Sequence, residues 1–100
     1  MRIGMVLGQV VLTRTYPTLR QGRFLVTRPI DRTHLHQHQV PANGETIVVY
    51  DDLSAGNGCL IGFSEGREAS VPFGKVKAPI DAYNCCILDE YTMTCNETIE

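Results

Sequence analysis

Five short apolar runs, each closed off by turn-forming residues, constrain this 100-residue chain more than any other feature. They span Ile3 to Thr13, Arg23 to Pro29, Glu45 to Tyr50, Cys59 to Ser64 and Tyr83 to Asp89, with a continuation through Tyr91 to Cys95 left open. Between them stand Pro17 and Gly22, Pro29 and Asp31, Pro41 through Gly44, Gly56 through Gly58, and Pro72, Gly74 and Pro79. Runs of this length, rich in β-branched residues and bounded by Gly, Pro, Asn and Asp, read as strands. No window carries a 3.6-residue period, although "EGREASV" allows one helical turn after Gly66. About five strands at this spacing predict an all-β barrel or sandwich in one domain over residues 1–100.

The patterning within the strands adds two expectations. In the first run the apolar phase set by Ile3, Met5 and Leu7 moves at Gly8-Gln9 to Val10 and Leu12, as a bulge or barrel corner requires. "TIVVY", "CLIGF" and "CCIL" are apolar on both faces, whereas a strand with one solvated face alternates. With no helices available to cover the second face, another copy of the chain is expected to cover it.

Composition excludes several function classes. The net charge of −2 gives no electrostatic case for nucleic acid or an anionic membrane as partner. Arg2 followed by an apolar segment resembles the start of a signal peptide. Gly4, Gly8 and Gln9 interrupt that segment and no small-x-small cleavage site follows, so it reads as a strand of a cytosolic protein. Cys59, Cys85, Cys86 and Cys95 contain no C-x-x-C pair, and neighbours on a strand point to opposite faces, so buried free thiols are expected rather than a zinc site. Without secretion, the Asn96 acceptor pattern carries no meaning.

Three motifs offer chemistry. His34, His36 and His38 alternate and would share one edge if extended, a geometry that suits Zn²⁺, but they sit in what reads as a polar loop with no carboxylate beside them. A thiol paired with a histidine has no recognisable local signature, so no catalytic residue is assigned. The stretch "DDLSAGNGCLIGFSEG" from Asp51 to Gly66 has the glycines of a phosphate cradle, yet no Lys or Arg follows until Arg67 and a strand, not a helix, comes next. Its glycines are expected to shape a turn between strands. No cofactor and no metal are expected.

Four stretches carry a recognisable order of landmarks. The opening "IGMVLGQVVLTR" has a glycine and paired valines at Gly8, Val10 and Val11, and "LRQGRFLV" has Leu19, Gly22, Phe24 and Leu25. The most specific part is the quoted stretch: aspartate at a strand end, an Ala-Gly-x-Gly turn, a strand, then glycine and alanine, here Asp51, Ala55, Gly56, Gly58, Gly66 and Ala69. "PIDAYNCCILDEY" adds a closing strand with Pro79, Asp81, Ala82 and Asp89. In these landmarks, from the first strand onward, the chain resembles the EutN/CcmL family, the pentameric vertex proteins of bacterial microcompartment shells. Cys59, Ser70 and the run Tyr83, Asn84, Cys85, Cys86 depart from the family pattern.

The resemblance implies a five-stranded, OB-like β-barrel with at most one short helical turn, assembling as a cyclic homopentamer. It implies a structural protein that caps shell vertices beside hexameric shell proteins, located in the cytoplasm within the microcompartment shell, rather than an enzyme. The pore or subunit interface is expected at Ser54, Ala55, Gly56, Asn57, Gly58, Gly66 and Asp81. The alternative is an OB-fold module for single-stranded nucleic acid or another ligand. A chain without Trp, with three Phe and four Tyr and a negative net charge, meets that module's needs poorly.

Overall fold

The computed structural model describes residues 1–12, 14, 17, 22–74 and 80–92. Five strands, β1 (Arg2–Val10), β2 (Arg23–Ile30), β3 (Ile47–Asp51), β4 (Leu60–Glu65) and β5 (Ala82–Leu88), close into a barrel in the order β1-β2-β3-β5-β4. Neighbours are antiparallel except β3 and β5, which run parallel through Tyr50 and Tyr83. Closure removes the exposed edges that an open five-stranded sheet would present. A 3-10 segment, Gly66–Phe73, occupies the place where the sequence allows a helical turn. Leu19, Pro79, Cys95 and Asn96 lie outside the described residues, as do Met93 to Cys95 of the open continuation; Tyr91 and Thr92 follow β5 without joining it.

The barrel interior is filled by Val6, Leu25, Val49, Ala55, Ile61, Phe63 and Ala82. Phe63 is its largest side chain, and full burial of such a group contributes about 1.5–3 kcal/mol. Room for it comes from Gly4 on the facing strand: a Cβ there would lie 3.0 Å from the Phe63 ring and 2.5 Å from Thr27 Cγ2. The Thr27 hydroxyl, wholly buried in the same layer, has no hydrogen-bond partner among the described residues.

Two bulges set the faces. The β1–β2 register slips between Val6 and Gly8, which leaves Leu7 unpaired and 44% exposed. This is the phase change expected at Gly8-Gln9. The inward residues, though, are Gly4 and Val6, so the apolar series Ile3, Met5 and Val10 marks the outer wall. A second slip opposite Gly62 and Phe63 leaves Cys85 unpaired. It turns Cys85 to solvent, while Cys59 and Cys86 are half-buried, so none of these three thiols is the fully buried hydrophobe expected. The second apolar face is covered in part by the chain itself: Tyr50 packs against Phe24, Phe73 and Tyr83, and Met1 and Cys86 lie over Gly62. Val48 stays open.

The histidine segment is a helix rather than an extended loop. In α1 (Arg32–His36) the Asp31 side chain caps the start by accepting from the His34 amide at 2.9 Å. At the other end His38 takes φ 55, with its N–H bonded to Leu35 and the Gln39 N–H to His34, the Schellman arrangement usually built on glycine. Helical spacing separates the imidazoles. His34 Nδ1 lies 2.6 Å from Asp31, and His38 stacks on Tyr91, whose hydroxyl donates to the Leu35 carbonyl at 2.8 Å.

Candidate assembly surface

The loop from Asp52 to Cys59 is held by one buried carboxylate. Asp51 ends β3 with no exposed surface, and its oxygens accept from the Leu53 amide at 3.1 Å, the Ala55 amide at 3.0 Å, Asn84 Nδ2 at 2.7 Å and Arg23 Nη2 at 3.2 Å. Arg23 also donates to the Ala55 carbonyl. Burial by itself would raise the Asp51 pKa; the bonds from Asn84, the two amides and Arg23 outweigh it and hold the carboxyl below its ordinary value. A buried charge is tolerated only when so fully paired, and here the pairing folds the loop back over the barrel end.

With the loop tied down at Asp51, Ala55 turns inward and joins the core. Ser54, at φ 67, and Gly56, Asn57 and Gly58 are exposed. Gly58, at φ 86, adopts a backbone that a side chain would strain, and its N–H bonds to the Val6 carbonyl at 2.8 Å. The turn closes with the Cys59 N–H on Gly56. These glycines therefore shape a turn, as the sequence suggests, and the loop presents backbone rather than a charged pocket.

Gly66 and Asp81, expected in the same site, lie together but elsewhere. The Gly66 N–H bonds to the Asp81 carbonyl at 2.8 Å, at the far end of β4 from Gly58. Six extended residues span roughly 20 Å, so the six exposed positions fall on two separate patches, and Ala55, in the core, belongs to neither.

Sequence reasoning missed the polar pair at the centre. Asn84 lies in an apolar strand, and nothing nearby in sequence announces that it binds Asp51; its Oδ1 accepts from the Cys86 N–H at 3.2 Å, so both ends of the amide are satisfied across the Cys85 bulge. Beside it the Tyr83 hydroxyl donates to Asp52 at 3.0 Å. Burial, then that bond to Asp52, pushes the Tyr83 phenol up to about 12.

A groove of about 500 Å³ includes Arg2, Arg28, His34 and Glu45, but Arg2 is occupied by Glu45 at 3.0 Å and Glu65 at 3.1 Å. No three His, Cys, Asp or Glu among the described residues are grouped to hold a metal ion. The ligand-binding alternative needs free aromatic faces, whereas Phe24, Tyr50, Phe73 and Tyr83 contact one another at 5.5–5.7 Å. No described helix is long and apolar enough to cross a membrane.

The family model "Ethanolamine utilisation protein EutN/carboxysome" matches residues 1–89. Among solved structures, the GrpN pentameric microcompartment shell protein from Rhodospirillum rubrum is 30% identical, covers 94% of this chain and 100% of its own, and superposes with a TM-score of 0.74. CcmL from Gloeobacter violaceus is 30% identical over 93% of this chain and 90% of its own, with a TM-score of 0.76. EutN from Escherichia coli is 25% identical over 93% and 89%, also at 0.76. A search of curated protein sequences gives no match.

Proposed function

Because this chain belongs to the EutN/CcmL family of microcompartment shell proteins, we propose that five copies close into a ring that fills the fivefold corners of a polyhedral shell. Its role is structural rather than enzymatic. A shell tiled by sixfold units cannot close without such corners, and a head-to-tail contact that closes after five subunits supplies one. The observation that carries the reading is the agreement of barrel and family over nearly the whole chain, with a pentameric shell protein at 30% identity.

The ring's neighbours in the shell are hexameric shell proteins, and the assembly is located in the cytoplasm. The exposed turn Ser54 to Gly58, whose Ala55 anchors it from inside, contributes to the subunit contact or to the rim of the axial opening, and Gly66 with Asp81 forms a second part of the contact surface. Support comes from exposure: Ser54, Gly56, Asn57 and Gly58 all reach solvent in the single chain.

Native mass spectrometry of the reduced protein tests the ring. Five copies of an 11.1 kDa chain give about 55 kDa. A monomer or dimer across the micromolar range would end the vertex reading. Asn57→Trp tests the turn: a pentamer whose mass and axial opening by electron microscopy match the parent removes it from both rim and contact.

A further inference from the structure

Resting on the ring reading above, we propose that the outer wall of β1, β2 and β3, centred on Gly8, Val26 and Val48, is one side of the contact between neighbouring copies of this chain. Gly8 pairs with Val26 and Val26 with Val48, so the three residues form one lateral row across three strands. The sequence neighbours of Val26 and Val48, namely Leu25, Thr27 and Val49, fill the interior, each at most 1% exposed, which directs those two valines outward, and Gly8 shares their face through its pairing with Val26. Val48 is 50% exposed. Gly8 and Val26 are half-buried and Val48 is open, and a row of small apolar groups that reaches solvent across three adjacent strands is the kind of surface another protein covers.

Gly8 supplies the second observation. A glycine within a strand costs about 0.5–1 kcal/mol relative to alanine, so a reason for it is expected. Its φ lies outside the left-handed range, so neither the backbone nor the bulge beside it demands glycine. A Cβ at Gly8 would meet nothing within 4 Å among the described residues, so packing against them does not demand it either. This contrasts with Gly4, four residues earlier, where a Cβ would collide with Thr27 and Phe63. Close approach of another backbone is one use of a strand glycine, and the open space at Gly8 allows it.

Beside Val48 a shallow cavity of about 150 Å³, lined by Phe24, Tyr50, Ile80, Asp81 and Ala82, gives the row a socket for a side chain of the neighbour. The occupant is a second copy because a cyclic contact joins two unlike patches of one chain. Gly56 has the same two properties as Gly8, an unconstrained φ and open space for a Cβ, on the separate surface of the Asp52 to Cys59 loop.

The test is native mass spectrometry of the reduced parent, Gly8→Leu and Val48→Arg, with far-ultraviolet circular dichroism to follow folding. The parent is expected near 55 kDa, and both variants are expected to fall to the 11.1 kDa subunit with unchanged dichroism. A pentameric parent with both variants still pentameric overturns the contact while leaving the ring. A parent that is not pentameric overturns the ring and the contact with it. Loss of the β-sheet spectrum in both variants also overturns the proposal, since the row would then serve the subunit's own fold.

Discussion

Asn84 Nδ2 donates to Asp51 Oδ1 at 2.7 Å, and neither side chain has any exposed surface. The two residues are 33 apart in sequence and on strands that barely pair, yet this contact, with Arg23 on the other carboxylate oxygen, fixes the loop that closes the barrel end. The candidate assembly surface thus depends on an interaction inside the subunit.

Asn84→Ala removes one donor from the carboxylate and leaves the Cys86 N–H without its acceptor. A loss of about 1–3 kcal/mol is expected, read as a lower urea midpoint of the reduced protein with m unchanged. A shift under about 0.5 kcal/mol, the ordinary range for surface changes, would show that the network is dispensable.

The depressed Asp51 pKa has a defined sign. The unfolded carboxyl takes up its proton near the ordinary 3.8, the folded one only at lower pH, so the stabilisation is present above that value and is lost as pH falls through the folded pKa. Urea midpoints from about pH 6 down to about pH 3 should therefore drop more steeply in the parent than in Asp51→Asn. Parallel profiles would remove Asp51 as a source of the acid sensitivity.

Tyr83 should titrate at alkaline pH well above the ordinary phenol. Its raised value, about 12, means that the neutral form stabilises the fold below pH 10.0 and that this contribution fades as pH rises toward the folded pKa. Ultraviolet titration of phenolate should show late-ionising tyrosine whose amplitude falls in Tyr83→Phe, with the raised Tyr50 remaining, and which shifts downward in Asp52→Asn. An Asp52→Asn curve superposing on the parent would disconnect the phenol from Asp52.

Gly4→Ala should destabilise by about 1–3 kcal/mol, the usual effect of overpacking, because the new methyl meets Thr27, the Phe63 ring and the Arg28 carbonyl within 3.1 Å. Thermal unfolding of the purified variant reads this directly. An unchanged midpoint would mean that β1 shifts outward without penalty.

Thr27→Val replaces a buried hydroxyl that has no partner among the described residues with a methyl of similar shape. Removing an unsatisfied polar group is neutral to stabilising, so a gain of up to about 1 kcal/mol is expected. A clear loss would reveal a hidden partner for the hydroxyl.

The strands were legible because their signals are local. All five lie within three residues of the expected positions, since β-branched runs and the turn residues between them report on the chain's immediate neighbours. The bulge in β1 was legible for the same reason, as a break in a two-residue period. The helix α1 was not: five residues cannot display a 3.6-residue period, and His38 stands at the position where glycine would have announced its end. Within the candidate surface the turn glycines were visible, whereas the separation of Gly66 and Asp81 from Ser54 to Gly58 needed the length of β4.

The sequence by itself determined where the chain extends and turns, that five strands must share one core, and that the whole resembles a known shell family. Only the tertiary structure decided which apolar residues face inward, that Asn84 and Asp51 meet, and that a Cβ at Gly8 would meet open space among the described residues. The physical reason is the range of the forces. Backbone preference acts over a few neighbouring residues, but register, bulges and the satisfaction of a buried charge are settled between strands that meet only when the barrel closes.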